Sequence, residues 1–151
     1  MALTFPSVEW FEALAAAATT DERFRHFGRV DAIVALKVGP HIYSLTFDVL
    51  TCRDVREISE GEMRDADFVI EMSPDVWRAM IEDIHANGRA TRDHTLNSLD
   101  ISLDEPIHRN PVDDGYRADK FFRFNPSLQA FFDNAAKLDT VFNLPAAQPA
   151  R

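Results

Sequence analysis

The sequence predicts an α+β fold, a single five-stranded, mainly antiparallel sheet covered by helices. Three observations predict it. Val30 to Val38 and His41 to Leu50 alternate apolar and polar residues with the period of a strand. Capping residues at Ser7, Ser73 and Asn125 each precede an apolar stripe with the period of a helix. The chain of 151 residues contains no internal repeat and no linker, and a chain of that size buries a core without metals or disulfides.

The elements follow in order. Ser7 to Ala18 reads as a helix with Trp10, Phe11, Leu14, Ala15 and Ala18 on one face. Thr19 and Glu22 form a capping-box pattern for a short second helix, with Phe24 and Phe27 facing inward and Gly28 as its stop. Gly39-Pro40 joins the first two strands as an antiparallel hairpin, and His41, Tyr43, Leu45, Phe47 and Val49 form the inward row of the second. Cys52 to Ser59 is a charged, edge-type strand, and Glu60 to Asp65 is a turn. Asp67 to Met72 is the fourth strand of a meander. Ser73-Pro74-Asp75 then opens a helix carrying Val76, Trp77, Met80, Ile81 and Ile84. Leu99, Ile101 and Leu103 alternate as a fifth strand. A long charged loop spans Asp104 to Lys120, where Arg109, Asp113, Asp114 and Arg117 are candidates for ion pairs. Asn125-Pro126-Ser127 opens the last helix, with Leu128, Phe131, Phe132, Ala135 and Leu138 on one face. Residues 1–143 are expected to form one domain and 144–151 a flexible tail.

Composition removes several functions. The net charge is −9, with no basic block, so neither nucleic acid nor an anionic membrane surface is an expected partner. No apolar run is long enough to span a bilayer, and membrane insertion is not expected. The single cysteine, Cys52, precludes an internal disulfide or a cysteine zinc cluster. The beginning, MALTFPSVEW, lacks a secretory pattern, and the expected compartment is the cytoplasm. No phosphate loop, nucleophile elbow or metalloprotease motif occurs. No catalytic residue, metal ligand or cofactor is assigned. His85, His94 and His108 lie near carboxylates without a ligand spacing, His41 reads as a wall histidine, and Cys52 as a packing residue.

The composition is unusual in one respect: 12 Phe against 2 Trp and 2 Tyr, with half the Phe near the end of the chain. Aromatic and Met side chains on two helices make wide walls, either for a cavity or for a plain core. Phe121, Phe122 and Phe124 lie too close together for one helix face or strand face to hide all three.

The stretch from Phe24 to Ile84 resembles the sterol carrier protein 2-like domain. The resemblance is carried by VDAIVALKV–GP–HIYSLTFDV, by VREIS, and above all by ADFVIEMSPDVWRAMIEDI. It implies a five-stranded sheet packed with helices around a hydrophobic tunnel. Members bind or move sterols, fatty acids and acyl-CoAs. By position, Trp77, Met80, Ile81 and Ile84 would line the tunnel and the C-terminal helix would close it. The chain departs from the family at Asn87 to Leu103, where HTLNSLDISLD replaces a glycine-bounded strand.

The expected ligand wall is therefore Phe47, Trp77, Met80, Ile81, Ile84, Leu99, Leu128, Phe131 and Phe132, around an apolar or amphipathic small molecule. Two other readings stand beside it. One is an enzyme or accessory protein that uses His41, Asp93 or His94 on a hydrophobic substrate. The other is a homodimeric interaction domain that packs its Phe-rich end on a second copy.

Overall fold

The computed structural model describes residues 2–27, 30–102, 106–110 and 119–144. Five strands form the main sheet: β2 (Ala32–Val38), β3 (His41–Asp48), β4 (Thr51–Ile58), β5 (Phe68–Met72) and β6 (His108–Arg109), in the order β4-β3-β2-β5-β6. The helices are α1 (Val8–Thr19), α2 (Glu22–His26), α3 (Pro74–Asn87), α4 (Leu96–Ser102) and α5 (Lys120–Asp133). Two three-residue strands, β1 (Leu3–Phe5) and β7 (Thr140–Phe142), pair in parallel as a separate ribbon. The fold class is the one predicted.

The hairpin β2–β3 and the pair β3–β4 are antiparallel. The meander then stops. From β4 the chain passes through a 3₁₀ segment, Glu60–Asp65, and β5 enters parallel to β2 with Val34 opposite Phe68. A parallel neighbour requires a crossover rather than a hairpin. Met63 and Ala66 of this crossover pack with Ala35, Ile42 and Val69, a small core separate from the main one.

The main core lies on the other face, where α1, α3 and α5 cover Leu36, Leu45, Phe47, Phe68 and Ile70. The helix α3 forms as its sequence dictates. Ser73 accepts from the Val76 amide, Pro74 occupies the first turn, and Gly88 closes the end at φ +83°, where a side chain would be strained.

Several elements differ from expectation, each for a physical reason. Leu96–Ser102 is helical rather than a strand. Leu96 and Leu99, three residues apart, are both buried, Thr95 receives the Ser98 and Leu99 amides, and Ile101 is 74% exposed. The fifth strand is instead the two-residue β6, paired to Val69 and Ile70. The last helix begins at Lys120, not Asn125, and carries Pro126 inside it. Its stripe Phe121, Asn125, Leu128, Phe132 is buried along its length, and that burial outweighs the cost of an interior proline. Asp21, not Thr19, caps α2. Phe24 is buried, but Phe27 is 43% exposed. In β3 the row Tyr43, Leu45, Phe47 is buried, whereas His41 at its head is exposed and Val49 lies past its end at φ 59°. Gly28, Leu103, Asp113, Asp114, Arg117 and residues 145–151 lie outside the described residues.

Candidate functional site: an aromatic interior

All the predicted wall residues are buried, and all join the main core. Phe47 projects from β3 and meets Phe131 edge-to-face, with centroids 5.0 Å apart. Phe131 contacts Phe132 at 5.6 Å, and Phe132 meets Trp77 of α3 at 5.8 Å. The Trp77 indole N–H donates to the Lys37 carbonyl at 2.9 Å, which fixes α3 against β2. Met80, Ile81, Ile84 and Leu128 fill the space between these rings and the sheet, and Leu99 joins them from α4. Ile81 also lines a cleft of about 300 Å³ with His85, Asp139 and Phe142.

A second aromatic line runs from Phe5 through Trp10 and Phe11 to Tyr43. Burial pushes the Tyr43 phenol up to about 12, with Glu57 and Glu9 adding to the effect, so it remains neutral at physiological pH. Burial likewise raises the Cys52 thiol to about 12, which makes it a poor nucleophile.

The residues of the enzyme reading are not brought together. His41 is half-exposed and bonds Glu57 at 2.9 Å on the sheet's outer edge. Asp93 is exposed, and His94 lies 3.7 Å from Asp83 at the surface. Polar residues at strand ends and in loops commonly reach solvent, and none of these three joins the apolar wall.

Two polar constellations were not anticipated from the sequence. His108 Nδ1 lies 2.7 Å from Asp100 Oδ1, which also accepts the Ile107 and His108 amides at 3.0 and 3.3 Å. The imidazole stacks flat on Phe121, 4.3 Å between centroids, and Phe121 meets Phe68 in the core. The pair thus pins the short edge strand between α4 and α5. Arg109, a predicted loop ion-pair residue, bonds Glu71 of β5. The second constellation centres on buried Asp133. Arg23, the Ala90 amide and the Gln129 carboxamide all donate to it, and Gln129 in turn accepts the Leu96 amide at 2.6 Å. Helical periodicity alone could have flagged Gln129 and Asp133, which sit four apart on a mostly apolar helix.

The architecture matches that of a conserved hypothetical protein from Thermus thermophilus, described as a candidate sterol carrier protein. The match covers 89% of this chain and 90% of that one, with a TM-score of 0.63 and 19% sequence identity. At that identity it establishes a shared fold. No family model and no curated protein matches the chain. No helix among the described residues is long and apolar enough to cross a membrane.

Proposed function

We propose that the chain is a small binding module that holds an apolar or amphipathic molecule, of the sterol, fatty acid or acyl-CoA type, between its sheet and its helices. The observation that carries this reading is the fold shared with a candidate sterol carrier over nearly the whole of both chains. The interior of this chain is consistent with the role. Phe47, Trp77, Phe131 and Phe132 are joined edge to face, and such rings offer a wide apolar wall. Transfer of a ligand into it is driven by burial, at about 0.8 kcal/mol for each CH₂ removed from water.

The wall residues pack on one another in the free chain, so a ligand enters by displacing side chains or by shifting α5 from the sheet. Uptake is then slower than diffusion and saturable. Titration with a fluorescent fatty acid and a fluorescent sterol tests the proposal, together with native mass spectrometry of protein purified without detergent. Stoichiometric binding that Phe131→Ala alters supports it. Failure of every acyl and steroid probe to bind would overturn it and leave the aromatic interior as structural core alone.

A further inference from the structure

The sequence places Asn125-Pro126 in the middle of α5, and both residues line a cleft of about 480 Å³ on the flank of that helix. Phe27 and Phe122 also line it, and they are 43% and 58% exposed, large apolar rings left in contact with solvent. Arg23, Asn97 and Gln129 complete most of the rim.

The polar groups of the cleft are not equivalent. The Gln129 carboxamide is engaged at both ends, by the Leu96 amide and by Asp133. Arg23 donates to Asp133, and its guanidinium lies 5.8 Å from the Phe27 ring centroid. Asn125 is only 9% exposed, yet its carboxamide has no hydrogen-bond partner among the described residues. Its polar atoms are not sealed in the interior, since Asn134 Oδ1 alone among the described residues is a sealed side-chain atom without a partner, so the carboxamide opens into the cleft with its donor and acceptor unused. A carboxamide that offers a donor beside an acceptor therefore stands at a cleft walled by Phe27 and Phe122.

We propose that this cleft binds a planar heteroaromatic ring that carries a donor and an acceptor on one edge, of which the purines are the type. The ring stacks against Phe27 or Phe122, as nucleobases do on aromatic side chains. Its edge pairs with the Asn125 carboxamide, whose adjacent donor and acceptor match the amino group and ring nitrogen of adenine. The site borders the apolar interior without opening into it: Phe122, Pro126 and Gln129 line the cleft, while Leu128, Phe131 and Phe132 belong to the core.

The test is a ¹H–¹⁵N NMR titration of the full chain with adenosine, and with purine riboside, which keeps the ring and lacks the amino group. Adenosine should shift the Asn125 side-chain amide and the Phe122 backbone amide saturably. Purine riboside should bind more weakly, and Asn125→Leu should weaken adenosine by about tenfold, the worth of one or two neutral hydrogen bonds. Phe122→Ala, at an exposed position, should weaken both ligands while the chain stays folded. Since the Asn125 amide bonds nothing among the described residues, Asn125→Leu should leave the melting temperature unchanged or higher. Absence of saturable shifts would overturn the proposal, as would equal binding by Asn125→Leu or a marked loss of its stability. Shifts at these residues that depend on protein concentration without any ligand would assign the cleft to a second copy instead, and would equally overturn it.

Discussion

The helices α3 and α5 have the same length, 14 residues, and cover the same face of the sheet, but they are built on opposite terms. The first is closed by its own sequence: a serine cap, a proline in the first turn and a glycine at the end. Its buried residues, Trp77, Met80, Ile81 and Ile84, are all apolar. The second has no side-chain cap and carries an interior proline, and it buries Asn125, Ser127, Gln129 and Asp133 beside its Phe and Leu residues. Local signals therefore suffice for α3, whereas α5 is helical because other parts of the chain reach it. A helix held in that way can place polar groups where a self-sufficient helix would have none.

Four measurements can break or sharpen this contrast. The largest effect is expected at α3. Trp77→Ala removes a fully buried indole and should cost about 3–5 kcal/mol in chemical denaturation. A loss below about 1 kcal/mol would mean that α3 is not held by packing. On α5 the corresponding residue is Asp133. Removing its carboxylate by Asp133→Ala strands the Ala90 amide and the Gln129 carboxamide, and should cost about 3 kcal/mol. If Asp133→Leu were instead neutral, the polar network would be dispensable and the two helices would differ little.

Pro126→Ala should act in the opposite direction. It restores an N–H to the helix interior, and should raise stability by about 2 kcal/mol after the loss of the proline's constraint on the unfolded chain is deducted. A destabilised Pro126→Ala would show that the ring is a packing element. The smallest effect concerns the C-terminal end of α3. Burial alone would raise the Asp83 carboxyl, but the Thr91 amide and hydroxyl and the Asn87 carboxamide outweigh it, with His94 adding, and hold the group below the ordinary carboxylate value of 3.8. A folded-state value below the unfolded one gives stability that is present above about pH 4 and lost as pH falls through the folded value. Asp83→Asn should therefore destabilise the chain at neutral pH and flatten the acid limb of its stability profile, as read by denaturation from pH 2 to pH 7.

The same contrast explains what could be read from the sequence. The hairpin β2–β3 and the helix α3 were legible because alternation, a cap and a turn lie within a few residues of one another. The fifth strand was not. Leu99 and Ile101 alternate with polar residues, but Thr95 offers a helical start and Leu96 pairs with Leu99 on one helix face. The true edge strand has two residues, too few for any period, and depends on Asp100 and Glu71 for its place. The parallel entry of β5 beside β2 likewise has no local signature. Among the candidate site residues, the apolar wall could be read from helical stripes. Asn125 could not, because Asn before Pro reads as a cap and its unpaired amide is evident only once α5 is seen to begin five residues earlier.

The ribbon of β1 and β7 has a consequence for synthesis. Leu3 pairs with Thr140 and Phe5 with Phe142, and the Trp10 indole donates to the Thr140 hydroxyl at 3.0 Å. A ribosome makes residues 3–5 first and residues 140–142 last among these partners. While residues 12–139 are being made, Phe5, Trp10 and Phe11 are present without the strand that completes their surroundings. The nascent chain must therefore carry an unfinished aromatic surface until residue 142 has left the exit tunnel, the type of exposure that chaperones recognise.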